Sequence, residues 1–148
     1  MSPLFRDRFF VPGAAKGKAR PRAVAIGGHV RVYPGKADLE WKVAIRLAIH
    51  ARMPDCQIDV TSPVRVALRF LMQRPKAHFG AKGLKPMAPT LHVGKPDIDN
   101  AAGAVMDAVT ESGLWLDDNR VAELFAAKVY TVKDEVPGVW IEIEELPR

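Results

Sequence analysis

The chain has 148 residues, enough for one domain with a single core but not for two, and 48% of them are hydrophobic, which argues against a disordered chain. Twenty-two lysines and arginines stand against 17 aspartates and glutamates, a net charge of +5 that suits an anionic partner. The single cysteine, Cys56, excludes an intramolecular disulfide and a zinc site built from several cysteines, so a reducing cytoplasm is expected.

Arg6, Asp7 and Arg8 put charge where a signal peptide would carry its apolar core. No apolar run approaches the roughly 18 residues of a membrane span, so no membrane partner is expected. Residues 4–11 read as a first strand closed by Pro12-Gly13. Lys16-Gly17-Lys18-Ala19-Arg20-Pro21-Arg22 follows, an extended basic loop whose cations suit phosphates without sequence preference. Gly27-Gly28 then marks the turn of a small hairpin. From Lys36 to about Arg52 the chain reads as a helix: Leu39, Val43 and Leu47 recur every fourth residue with Ala44 and Ala48 beside them, and Trp41, Ile45 and Ile49 widen the apolar surface. Such a helix is covered on two sides, by the core or by a dimer partner.

Residues 63–72 alternate as a strand, with Val64, Val66, Leu68 and Phe70 on one face, and this strand should be central. Residues 73–94 contain Arg74, Lys76, Lys82 and Lys85 and no acid, and read as a flexible basic arm that orders on DNA. His78 and His92 lie in it at a spacing that fits no metal pattern, and neither is given a role.

The arm leads into Lys95-Pro96-Asp97-Ile98-Asp99-Asn100. Pro96 turns its predecessor away from helix and Asp97 is a good N-cap. Ile98, Ala101, Ala102, Val105, Ala108 and Val109 form a buried stripe, and Gly113 ends the helix, which should span about Ile98 to Ser112. Asp99, Asn100, Gly103, Asp107 and Thr110 fall on its other side. Capping explains one aspartate at the helix start, not two. Asp117 and Asp118 follow the helix, and a short return of the chain would bring the two acidic pairs together. Carboxylates that close repel unless a divalent ion neutralises them, and magnesium, which prefers oxygen ligands, is the natural candidate. Residues 121–132 and 138–144 read as two final strands joined in a hairpin, with Glu142 and Glu144 on the wet face of an edge strand. No Gly-rich phosphate loop is present, so no nucleotide cofactor is expected.

The Lys-Pro-Asp-x-Asp-Asn segment, the alanine-rich helix with Asp107-Ala108-Val109-Thr110, and Gly113-Leu114-Trp115-Leu116-Asp117-Asp118 resemble, in order and spacing, the RusA family of Holliday-junction resolvases. Gly17-Lys18-x-Arg20-Pro21-Arg22 and the later Tyr33-x-x-Lys36 are similar to phage-type members. The resemblance implies a small homodimeric, magnesium-dependent endonuclease that nicks four-way DNA junctions symmetrically. By position it implies Asp97, Asp99 and Asp118 as catalytic, metal-holding residues. One position departs: three residues after Asn100, where the family usually has a catalytic lysine, stands Gly103.

The expected fold is a single α+β domain over residues 1–148, a mixed sheet of about four strands carrying two main helices. The expected function is a structure-selective DNA endonuclease. Asn100 and Asp117 would support the metal ligands, and Lys16, Lys18, Arg20, Arg22, Lys36, Arg74, Lys76, Lys82, Lys85 and Lys95 would contact DNA. Because of Gly103, the competing expectation is a non-catalytic DNA-binding protein of the same fold. A general metal-dependent phosphoesterase would act on small phosphodiesters without preferring branched DNA.

Overall fold

The computed structural model of the chain describes residues 4–18, 22–33, 36–59 and 61–148, with only the backbone of residues 22–24, 26, 31–33 and 37. The strand expected at residues 63–72 runs from Val64 to Met72 as β4 and is indeed the central one. Its sheet has four strands in the order β1-β8-β4-β7, where β1 is Arg6–Pro12, β7 is Val121–Tyr130 and β8 is Gly138–Glu145. β4 pairs parallel with β7 and antiparallel with β8, and β8 pairs antiparallel with β1. Two helices, α1 (Lys36–Arg52) and α2 (Ile98–Ser112), cover one face, and the whole is a single α+β domain. Among the described residues no helix is long and apolar enough to cross a membrane.

The last two strands do not form the expected hairpin. β4 lies between them, with Leu68 opposite Ala126 on one side and Ile141 on the other. The connection at 131–137 is much longer than the tight turn of about two residues that enforces pairing of neighbours, and it carries the chain across the end of β4. Central placement buries Val64, Val66, Leu68 and Phe70 beneath the helices, beside Val139, Ile141 and Ile143 of β8. Glu142 and Glu144 do lie on the wet face, but of an inner strand, where Glu142 pairs with Arg6 and Glu144 with Arg65, which also meets Glu123.

Helix α1 turns the expected stripes around. Trp41, Ile45 and Ile49 are buried against α2 and the sheet, whereas Leu39, Val43 and Leu47 are 44%, 38% and 63% exposed. The partner surface explains the choice: α2 presents mostly alanines and valines (Ala101, Ala102, Val105, Ala108 and Val109), a shallow face that accepts bulky side chains from its neighbour. Lys42 and Arg46 of α1 close the seam on Glu111 of α2, at 2.6 and 3.7 Å.

The Gly27-Gly28 turn joins β2 (Arg22–Ile26) and β3 (His29–Tyr33) into the expected hairpin, apart from the main sheet. Residues 73–94 are not one open loop. They hold a 3-10 turn, η1 (Lys76–His78), and a minimal hairpin of β5 (Phe79–Gly80) with β6 (Gly83–Leu84), and then run along the edge of β7, where Tyr130 N–H donates to Thr90 O and His92 N–H to Lys128 O.

Candidate functional site

Helix α2 begins and ends where its chemistry predicts. Gly113 takes the left-handed conformation (φ 84°) with its N–H on Thr110 O, and Asp97 occupies the N-cap position. The Asp97 side chain, however, makes no capping hydrogen bond. Its carboxylate faces outward, 3.2 Å from Lys95 Nζ, and Asp99 is exposed in the first turn of the helix. Two acids at a helix N-terminus are favoured by the positive end of the helix dipole, so the site holds negative charge without a buried partner. Ile98, expected in the buried stripe, is instead 41% exposed beside them.

The turn before the helix is pinned from the sheet. Lys128 of β7 donates to the carbonyls of Gly94 (2.6 Å) and Pro96 (2.8 Å), on either side of the cis Lys95–Pro96 bond. The sequence signal for this role is slight: Lys128 is the one cation in β7. A groove of about 710 Å³ runs from Asp97 and Asp99 to Ala126, Ala127 and Lys128.

The N-terminal basic loop lies against the other side of the turn. Lys18 N–H donates to Asn100 O at 3.0 Å, and Gly17 fits so closely that a Cβ there would stand 3.2 Å from the Cβ atoms of Asn100 and Pro96. Lys16, Lys95, Asp97 and Asn100 thereby line one groove of about 370 Å³. Lys18 reaches further down the helix, its Nζ 3.5 Å from Asp107 Oδ2.

The second acidic pair is placed by Leu114 and Trp115, which are buried and turn the chain back along α2. Asp117 caps a short 3-10 turn, η2 (Asp118–Arg120), by accepting from Asn119 N–H at 2.9 Å. Desolvation, the hydrogen bond to Asp117 and the charges of Asp117 and Asp107 push the Asp118 carboxyl above its ordinary pKa, and Lys18 opposes them. Asp107, which the sequence placed only on the polar side of α2, is therefore part of this neighbourhood.

The two acidic pairs do not close into one cage: among the described residues no three ligating side chains come near enough to hold an ion. The donor set nevertheless suits a hard divalent cation in kind. It is all carboxylate oxygen, the Asp97 carboxylate is not spent on capping, and at Asp118 desolvation and then the neighbouring acids disfavour the ionised form, a penalty that a bound cation would relieve.

Arg74, expected on DNA, is instead a buried tie. It is 7% exposed; its Nε donates to Thr131 O (2.7 Å), one terminal nitrogen donates to Pro89 O (2.8 Å) and approaches His78 Nδ1 (3.2 Å), and the guanidinium lies 5.2 Å from the Tyr130 ring centre. His78 and His92 stand edge-on to the same ring, at 4.8 and 5.1 Å, so the histidines serve as anchors for the arm. Burial and the Lys128 charge push the His92 imidazole below its ordinary pKa. Arg74→Met should cost about 2–3 kcal/mol in a thermal or urea melt, because two carbonyls lose a charged donor. It should leave the salt dependence of DNA binding unchanged, whereas Lys82→Ala and Lys85→Ala should each reduce the log–log slope by about 1. Lys36, Lys76, Lys82 and Lys85 are exposed as a phosphate contact requires, only the backbone of Arg22 is described, and Arg20 lies outside the described residues.

A search of curated proteins finds no match. The sequence model of the family described as endodeoxyribonuclease RusA matches residues 12–144. That span runs from the end of β1 into β8 and takes in the basic loop, the acidic turn and the aspartates beyond α2, so the chain belongs to the RusA endodeoxyribonuclease family.

Proposed function

We propose that this chain resolves four-way Holliday junctions by paired symmetric nicks, as a magnesium-dependent homodimer acting in the cytoplasm. Its family consists of junction endodeoxyribonucleases. The observation that carries the reading is the uncapped Asp97 beside Asp99, in a turn pinned by Lys128 and flanked by Lys16 and Lys95. An acidic pair set among phosphate-seeking cations serves a metal and a nucleic acid together better than either alone.

Asp97 and Asp99 would hold the ion, with Asp118 completing the set once junction binding draws the two acidic neighbourhoods together, and the bound ion would draw charge from the scissile phosphate and acidify the water beside it. The chain's own groups do the positioning. Lys128 fixes the carbonyls that bracket Pro96 and so sets where Asp97 points. Lys16 and Lys95 receive the phosphates next to the cut, Asn100 orients the acidic turn, and Asp117 holds η2, which begins at Asp118 near Asp107 of α2. Lys36, Lys76, Lys82 and Lys85 supply outlying phosphate contacts that read no sequence. Two-fold symmetry offers two such sites to the paired strands of a junction.

The test compares an end-labelled mobile four-way junction with a linear duplex of the same sequence, in magnesium or in EDTA. Paired nicks on the junction alone, absent in EDTA, are expected. Tight junction binding without nicks would overturn the catalytic reading and leave a DNA-binding protein, and hydrolysis of small phosphodiesters without junction preference would make it a general phosphoesterase.

A further inference from the structure

Lys18 occupies a lane along the exposed side of α2. Its main-chain N–H is fixed to Asn100 O at 3.0 Å and its ammonium stands 3.5 Å from Asp107, so one residue bridges seven positions of helix, roughly 10 Å. The middle of that lane is Gly103. A Cβ built there would lie 3.7 Å from Lys18 Cδ, so a long side chain starting at 103 would run where Lys18 now runs. Glycine inside a helix costs about 1 kcal/mol relative to alanine, and the open lane gives a reason for that cost.

The ammonium also stands among the right groups. The main chain of Lys18 is held at Asn100, in the acidic turn, and its ammonium meets the Asp107 carboxylate further along α2. With its side chain 61% exposed, Lys18 faces solvent even while paired with Asp107. Lys18 thus touches both acidic neighbourhoods, the turn through its main chain and Asp107 through its ammonium.

We propose that Lys18, lying across Gly103, is the catalytic cation that meets the scissile phosphate in this chain, taking from the N-terminal loop the place that a lysine on α2 would otherwise fill. This rests on the nuclease reading above. The role is electrostatic: the ammonium stays protonated, no covalent bond forms, and Asp107 holds the side chain until the phosphodiester, which gathers a second negative charge as its phosphorus is attacked, draws it across. A group of this kind acts on the charge that develops in the transition state, so its loss falls on the rate more than on binding.

The experiment is single-turnover nicking of a labelled junction at saturating protein in magnesium, with junction Kd and melting temperature measured for the same full-length proteins. Lys18→Met should nick at least ~100-fold more slowly with Kd within about threefold of wild type and an unchanged melting temperature. Adding Gly103→Lys to Lys18→Met should recover at least ~10-fold of the lost rate, because the second lysine starts beneath the same lane. Nicking by Lys18→Met at the wild-type rate overturns the inference, as does a loss that saturation abolishes, which would make Lys18 one phosphate contact among several. Failure of Gly103→Lys to recover any rate also overturns it, since the missing group is then not a cation at this place. A wild-type protein that nicks nothing removes the nuclease reading itself, a result distinct from all of these.

Discussion

Asp118→Asn should slow junction nicking by at least about 100-fold while leaving junction affinity close to that of wild type. The neutral amide keeps the shape of the side chain but cannot carry the charge that holds a divalent ion. The same substitution should leave the metal-free protein as stable as wild type or more so. Desolvation and the neighbouring Asp117 and Asp107 raise the Asp118 pKa in the fold, so its ionised form is disfavoured there relative to the unfolded chain. The sign follows from linkage: the contribution of a carboxyl with a raised folded pKa is fully present below its unfolded pKa and is lost as pH rises through the folded one. In EDTA, wild type should therefore give up some stability between about pH 4 and neutrality that Asp118→Asn does not. Stability gained where activity is lost is the pattern of a group kept for function. Full nicking by Asp118→Asn would take Asp118 out of the site, and a lower melting temperature in EDTA would mean that its carboxylate is structural. Asp117→Asn should be milder, because asparagine can still accept from Asn119 N–H and cap η2.

What could be read from the residues was local. The limits of α2, the extended conformation at Asp97 and the left-handed Gly113 follow from capping and turn chemistry within a few positions of each. Pairing is not local. Alternation identified β7 and β8 as strands but carries no information that β4 stands between them. For α1, two apolar stripes lay side by side, and which is covered depends on the alanine face of α2 about sixty residues later. Arg74 looked like one of four cations in a basic run, yet the carbonyls that bury it belong to Pro89 and Thr131.

The acidic site was legible as composition and less so as geometry. α2 is about 22 Å long, so aspartates at its start and beyond its end meet only if the chain returns along most of it. Leu114 and Trp115 bring it back as far as Asp107, not to Asp97. Lys18 spans the remaining stretch, and that contact between residues some ninety positions apart has no signature in either segment alone.

The return itself depends on Trp115, and Trp115→Ala is expected to be the most damaging change to stability. The side chain is 1% exposed, its indole N–H donates to Thr110 Oγ1 at 2.7 Å, and Thr110 in turn donates to Met106 O. Truncation loses the burial of a large ring and leaves a cavity, at about 3–5 kcal/mol. Against a typical total of roughly 5–15 kcal/mol, that should lower the melting temperature by about 10–15 °C. Trp115→Phe separates the causes: it keeps most of the volume and loses the indole donor, so a loss of about 1–2 kcal/mol is expected. Circular dichroism follows both melts without depending on tryptophan fluorescence. Nicking measured well below both melting points then tests position. Phe should retain it, because Leu114 still holds the turn through its carbonyl on Ile58 N–H, whereas Ala frees the segment that carries Asp118. An alanine variant that melts within about 2 °C of wild type would show that less than about 1 kcal/mol rests on this ring, and that Asp118 is placed by β7 from below rather than by the packed turn above it.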